Sequence, residues 1–311
     1  MIFDDAQLIS FTKPISDTEE QKCERAIQIV INALKLGGYS IDATALQAPA
    51  YTAKAQKGGT SLSLFLQGSY ANNTNIKLDR DVDVAVVLDS QFGVKYRPGA
   101  SDSDYKFTNA AYIDIKGDIC TVLKQYINGS VIRKNKSIRI TENSYRAAID
   151  VVPCIEFRDY SNEFYNDPTR YIPGIKIKAD DGSTIINYPK VHLENGRKKN
   201  EETNHYYKKV VRILKNIRNL MEESGQSIFA QYVSSFQLES LLWNVSNQCF
   251  LQYNDLYALK FSNIVSILAR EKGNFANCKE VNGVKPLFSS LQMLQTYQNF
   301  IDELYDFYHW R

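Results

Sequence analysis

The chain has 311 residues, 37 of them basic and 35 acidic, for a formal net charge of +2. That balance excludes a protein that coats nucleic acid non-specifically, while leaving room for a local basic site. With 44% apolar and 23% charged residues, the chain is expected to be globular, with length enough for one large domain or two lobes.

Residues 17–36 place Cys23, Ala26, Ile27, Val30, Ile31 and Leu34 at three-to-four spacing among charged positions. This predicts an amphipathic helix with Asp17 as N-cap and Gly37-Gly38 as its stop. The Ala-rich polar text from Thr44 to Gly59 reads as a loop. Residues 61–67 alternate into a strand, and 82–88 form a nearly all-apolar strand of the kind buried within a sheet. Residues 105–115 and 117–127 read as helix or amphipathic connector, and 147–157 as a third strand in which Pro153 marks an edge or a bend. From Tyr171 to Tyr188 the turn residues predict a hairpin around Asp181-Gly182. After about residue 200 the pattern turns helical, with helices over 206–221, 234–251, 254–271 and 287–308. The residues thus describe an α/β lobe followed by a helical lobe.

The five cysteines, Cys23, Cys120, Cys154, Cys249 and Cys278, are far apart and include no Cys-x-x-Cys. They read as small buried thiols in a reducing compartment rather than as a zinc ribbon or disulfide framework. The first residues lack the basic start and apolar core of a signal peptide, and no apolar run nears the ~20 residues that span a bilayer. A cytoplasmic protein with no membrane partner is expected.

The most informative stretch begins Leu66-Gln67-Gly68-Ser69-Tyr70, continues through a polar connector, and resumes as Asp81-Val82-Asp83 at the head of the apolar strand. Carboxylates two apart on a strand project from the same face. The small-residue turn upstream offers backbone N–H groups and the Ser69 hydroxyl to a phosphate. A third carboxylate, Asp150, interrupts the apolar strand Ala148-Ile149-Asp150-Val151-Val152, where an unpaired charge would be costly to bury. Together these predict a nucleoside triphosphate held over two divalent cations. Mg2+ is expected, with Mn2+ able to substitute, because such ions take hard oxygen ligands. Asp81 and Asp83 would bridge both ions. Asp150 would join at the side of the attacking hydroxyl and help take its proton. Ser69 and the amides around Gly68 would hold the β- and γ-phosphates. Asp-x-Asp alone would favour a solvated strand end; the Gly-Ser turn and the third carboxylate shift the balance to the functional reading.

These residues resemble the nucleotidyltransferase superfamily that includes DNA polymerase β, poly(A) polymerases and oligoadenylate synthases. The resemblance is closer to the bacterial CD-NTases, the cGAS/DncV-like enzymes of anti-phage CBASS systems. It is carried by Gly68-Ser69-Tyr70 with the connector and Asp-x-Asp, by Pro189 to Leu193, by Lys199-Asn200, by Tyr207 to Lys215, and by Ser234 to Asn244. It spans roughly residues 60–245 in order. What it implies is an α+β fold. A polymerase β-like core, a mixed twisted sheet with flanking helices, would fill residues 1–190, a C-terminal helical lobe would fill 191–311, and an N-terminal helix would span both.

The resemblance also implies further nucleotide contacts. Gln67 would belong with Gly68 and Ser69. Lys209 and Arg212, one turn apart on a helix, would reach the triphosphate; Ser235 would bond the phosphates; Phe236 would stack on the donor base. Without the resemblance, a solvated helix face and a core phenylalanine are the preferred explanations of these residues. His192 reads as a structural or hinge residue. The implied activity is synthesis of a cyclic di- or trinucleotide from NTPs, ATP among them and GTP or a pyrimidine NTP as a second substrate. The enzyme would be a monomer whose diffusible product acts on a separate effector. The His/Cys zinc insertion of the animal DNA sensor is absent, so no long DNA activator is expected. The ending Tyr308-His309-Trp310-Arg311 differs from the Gly or Ala end of relatives that are conjugated by a helper. Base selection is expected around Asn187, Tyr188 and 171–183. Two other readings stay open, a template-free enzyme making linear products and a non-catalytic module of the same fold.

Overall fold

The structure is a computed structural model and describes residues 3–42, 52–78, 81–105 and 114–309. The chain divides into two units. One comprises Ser16–Ala71 and Arg80–Val191; the other comprises Met1–Ile15, Asn72–Asp79 and His192–Arg311. The division near residue 191 falls beside the seam expected from the sequence. Two segments from the first part of the chain, however, group with the helical unit. The single spanning N-terminal helix is replaced by two helices, α1 (Asp5–Thr12) in the helical unit and α2 (Asp17–Leu36) in the other.

The α2 helix buries the apolar stripe read from the sequence. Its cap is Ser16, whose hydroxyl accepts from the Glu19 amide, so Asp17 is the first helical residue instead of the cap. There its charge meets the positive end of the helix dipole. The strands follow in order: β1 (Ser40–Ile41), β2 (Thr52–Lys57) and β3 (Thr60–Gln67). Then come the single turn α3 (Gly68–Ala71), β4 (Val82–Tyr96), the short α4 (Asp102–Tyr105) and α5 (Ile115–Tyr126). The strands β5 (Val131–Arg133), β6 (Ile138–Ile140), β7 (Ile149–Tyr160), β8 (Ile172–Lys178) and β9 (Thr184–Asn187) complete the unit. Among the described residues nine strands join one sheet, ordered β1-β2-β3-β4-β7-β6-β5, with β8 and β9 continuing from β7. Among these strands only the central β4–β7 pair is parallel; the others are antiparallel. The helices α2 and α5 pack on each other and on β4 and β7.

Two expectations change here and one is met. The segment read as a loop over 44–59 contains β2, which buries Ala53 and Ala55 between exposed polar neighbours; residues 43–51 and 106–113 lie outside the described residues. Pro153 lies opposite Val86 of β4 on one side and at a local gap in the pairing on the other, so it marks no edge of the sheet as a whole. On one side of β7 the pairing with β6 ends at Val151 and that with β8 starts at Ile155, so Pro153 sits in the interval where a missing N–H costs nothing on that side. The predicted hairpin is present as β8–β9, with Gly182 at φ +85.

The helical unit is built around α7 (Tyr206–Glu223), which follows α6 (Pro189–Glu202). Val210, Ile213, Leu214 and Ile217 on α7 are fully buried, each such side chain contributing about 1.5–3 kcal/mol. Around them pack α8 (Ser235–Trp243), α9 (Asn247–Leu251), α10 (Tyr257–Glu271) and α11 (Leu291–His309). The helix expected over 234–251 is broken between α8 and α9 at Asn244, Val245 and Ser246. Cys23, Cys120 and Cys154 are buried thiols, and Cys249 and Cys278 are half-buried. Among the described residues no helix is long and apolar enough to cross a membrane.

Candidate active site

Sheet register brings the sequence-predicted carboxylates together. Asp83 on β4 is the Cα partner of Asp150 on β7 in the parallel pair, so the two side chains leave the same face of adjacent strands, about 4.8 Å apart. Gln67 on β3 partners Asp83, and Arg139 on β6 partners Asp150. The row across four strands therefore reads Gln67, Asp83, Asp150, Arg139. The next residues down this face, Phe65, Ala85 and Val152, are buried in an apolar cluster. The polar row thus begins where the core ends.

Arg139 ties the carboxylates. Its Nη1 donates to Asp150 Oδ2 at 2.6 Å and its Nη2 to Asp81 Oδ2 at 2.8 Å. The Ser137 hydroxyl donates to Asp150 Oδ1 at 2.7 Å. Burial would make the guanidinium easier to deprotonate; the bonds and charges of Asp81 and Asp150 outweigh this and raise its pKa. Gly68, at φ +71, starts the α3 turn, and a Cβ there would meet Asp83 Oδ2 at 2.2 Å. The turn and the second aspartate are therefore in close contact.

The donor chemistry of Asp81, Asp83 and Asp150 suits a hard divalent cation. Among the described residues no group of three or more His, Cys, Asp or Glu is already gathered into a metal site. One oxygen of Asp81 and both of Asp150 are engaged by Arg139 and Ser137. A metal there would share those oxygens with these donors or take their place.

The helical unit holds an open pocket of about 790 Å3. Arg218, Asn219 and Glu222 on α7, Ser235 and Phe236 on α8, and Leu78 of the connector line it. Ser234 caps α8 by accepting from the Gln237 amide, placing Ser235 and Phe236 at the positive end of the helix. Arg218 Nη2 donates to the Ser235 hydroxyl at 3.1 Å, and its Nε is buried without a partner. Phe236 is 44% exposed rather than core, and stacks on the His192 ring at 5.5 Å.

The other expected contacts lie elsewhere. Arg212 is only 6% exposed, and its guanidinium donates to the carbonyls of Thr12 and Asn73, both at 2.6 Å. Lys209 sits over the Tyr206 and Tyr257 rings. Arg212 is thus committed to holding backbone, and Arg218 is the α7 cation at the pocket. Sequence reading missed Arg218 because α7 carries five cations, Lys208, Lys209, Arg212, Lys215 and Arg218, and periodicity does not say which faces a pocket. Arg139 was missed because its neighbour depends on strand pairing. His192 is buried and structural, 3.1 Å from Glu239 Oε1. Tyr188, expected near base selection, is buried with its hydroxyl on Asp159.

A profile for the cGAS/DncV-like nucleotidyltransferase C-terminal helical domain matches residues 194–309. The cyclic GMP-AMP synthase CdnE03 of Staphylococcus schleiferi is 36% identical over 320 residues, covering 100% of this chain and 98% of that protein. The structure of Elizabethkingia meningoseptica CdnE cyclic dinucleotide synthase with GTP and Apcpp aligns with a TM-score of 0.75 at 30% identity, over 99% of this chain and 100% of that one. Rhodothermus marinus CdnE c-UMP-AMP synthase with Apcpp and Upnpp gives 0.77 at 26% identity, over 99% and 98%. The fold, a twisted mixed sheet joined to a helical domain, is that of a nucleotidyltransferase. More narrowly, the chain belongs to the cGAS/DncV-like family, the CD-NTases.

Proposed function

We propose that this nucleotidyltransferase condenses NTPs, ATP among them, into a cyclic di- or trinucleotide. The observation that carries the chemistry is the pairing of Asp83 with Asp150 on adjacent strands, with Asp81 two residues before Asp83. The carboxylates of Asp81, Asp83 and Asp150 would hold two Mg2+ ions, or Mn2+ in their place. When bound, the ions neutralise phosphate charge and make the attacking hydroxyl more acidic.

This chain's residues do the rest. Ser69 and the turn at Gly68, with Gln67 beside them, hold the phosphate tail. Asp150 helps take the proton of the attacking sugar hydroxyl. The hydroxyl oxygen bonds to the α-phosphorus, and the bond to the β-phosphate oxygen breaks to release pyrophosphate. A last attack, within the linear intermediate, closes the ring with release of another pyrophosphate, two in all for a dinucleotide and three for a trinucleotide. In the helical unit, Phe236 supplies an aromatic surface for a base, and Ser235 with Arg218 supplies donors for phosphate.

Cyclisation is supported by the relatives, which are cyclic nucleotide synthases by name. Those same relatives differ in bases, GMP-AMP in one, dipurine in another and dipyrimidine in a third. Overall identity therefore leaves the bases of this product open. Family resemblance further supports a role in anti-phage CBASS defence, as a cytoplasmic monomer whose diffusible product activates an effector. The test is incubation of purified protein with four labelled NTPs and Mg2+, followed by phosphatase and separation of products. A phosphatase-resistant species is expected, and omission of single NTPs names its bases. Ladders wholly sensitive to phosphatase would mean a linear-product enzyme. No turnover, with or without infected-cell lysate, would mean a non-catalytic module.

A further inference from the structure

The row that holds Asp83 and Asp150 ends in a cation. On β6, Ile138 and Ile140 are fully buried, and alternation sends Arg139 to the opposite face. Register then sets it against Asp150. Its two terminal nitrogens reach different carboxylates, Asp150 at 2.6 Å and Asp81 at 2.8 Å. A planar guanidinium makes these two bonds from two nitrogens held in a fixed fork, which the single nitrogen of a lysine ammonium lacks. Carboxylates gathered this closely repel one another unless a cation sits among them.

We propose that Arg139 is a resident counter-cation of the site, holding Asp81 and Asp150 in place and competing with divalent cations for their oxygens. The proposal rests on the reading that Asp81, Asp83 and Asp150 bind metal. A divalent cation at Asp81 Oδ2 and Asp150 Oδ2 would share those oxygens with two charge-assisted hydrogen bonds and sit beside the guanidinium charge that makes them. Bare cation therefore binds weakly. Cation that arrives with a triphosphate brings phosphate oxygens as further ligands and overcomes the competition. The arrangement makes metal loading depend on nucleotide, and keeps the aspartates aligned until it comes.

Manganese binding to the nucleotide-free protein tests this, read from the electron paramagnetic resonance signal of free Mn2+, alongside thermal unfolding with and without Mn2+. Arg139→Met is expected to bind Mn2+ about tenfold more tightly, ~1.4 kcal/mol. It should unfold at a lower temperature than wild type without metal and recover on adding Mn2+. Arg139→Lys keeps one charge but not the two-pronged contact, so a smaller tightening is expected; it carries the test if Arg139→Met does not fold. Unchanged or weaker Mn2+ affinity in the Arg139 variant overturns the counter-cation role. Asp83→Asn separates the two ideas. If it abolishes Mn2+ binding while the Arg139 variants leave affinity unchanged, the metal reading stands and the counter-cation role alone falls. If it leaves binding intact, the cation sits elsewhere and both fall.

Discussion

A Cβ placed on Gly68 would lie 2.2 Å from Oδ2 of Asp83, closer than real Cβ contacts come. Gly68 also adopts φ +71, a region that other residues enter only with strain. The Gly-Ser turn and the second carboxylate of Asp-x-Asp are thus fitted to each other by the lack of a side chain. Gly68→Ala should push the Asp83 carboxylate aside and cut product formation by about 100-fold, the scale expected for ångström-level misplacement. The loss should be far larger than any change in melting temperature. Near-normal turnover would show that Asp83 can swing away without consequence, which its proposed role does not permit.

Exchange of each carboxylate for its amide should separate chemistry from folding. Asp81→Asn, Asp83→Asn and Asp150→Asn should each reduce turnover to background. Asp150→Asn should also lower stability by about 1–2 kcal/mol, because Asp150 accepts from both Ser137 and Arg139. Assay of pyrophosphate release and urea unfolding on the same preparations would check both. An Asp83→Asn protein that still turns over normally ends the assignment of this row as the catalytic centre.

The aspartates were legible in the sequence for a simple reason. A charge inside an apolar strand is expensive unless it has work to do, and Asp83 and Asp150 both interrupt such strands. The periodic stripes of α2 and α7 were legible because burial repeats every three to four residues. The β2 strand was not, because its buried residues are alanines with little β preference. The neighbour of Asp150 was equally hidden, since Ile-Arg-Ile fixes which way Arg139 points but not which strand lies beside it. The partners of Arg212 were hidden for a related reason. Its spacing on α7 was visible, but the carbonyls of Thr12 and Asn73 that claim it come from distant parts of the chain.

Arg218 and Arg212 should therefore behave in opposite ways. Arg218→Ala removes a cation beside Ser235 at the rim of the pocket. It is expected to raise the KM for NTP about tenfold, ~1.4 kcal/mol, with little change in melting temperature. Arg212→Ala removes a buried guanidinium and its hydrogen bonds to the carbonyls of Thr12 and Asn73, costing on the order of 2–3 kcal/mol of stability, while KM in the folded protein stays close to wild type. Phe236→Ala should raise KM as Arg218→Ala does, and Phe236→Tyr should not. Steady-state kinetics and thermal melts on the set would decide it; a raised KM in Arg212→Ala without loss of stability would return that residue to the triphosphate.

Glu239 sets a pH limit on the helical unit. It is buried on α8, 3.1 Å from His192 Nε2, and accepts from the Thr74 hydroxyl at 2.9 Å. Thr74 in turn accepts from Lys215 through its carbonyl at 2.9 Å, so the group fastens the connector to α7 and α8. Burial by itself would raise the Glu239 pKa; the charge and hydrogen bond of His192, with Lys215 and Thr74, outweigh it and hold the carboxyl down at about 2 against an ordinary 4.5. The folded protein therefore binds this proton less readily than the unfolded chain. The resulting stability is fully present above pH 4.5 and drains away as the pH falls toward 2. Glu239→Gln should be less stable than wild type at pH 7 by about 3 kcal/mol, the scale for breaking a buried charged pair. The gap should narrow through that window until the two proteins converge. Denaturant unfolding at a series of pH values measures the gap directly; one that stays constant from neutral to strongly acid pH would mean that Glu239 contributes packing but no proton-linked stability.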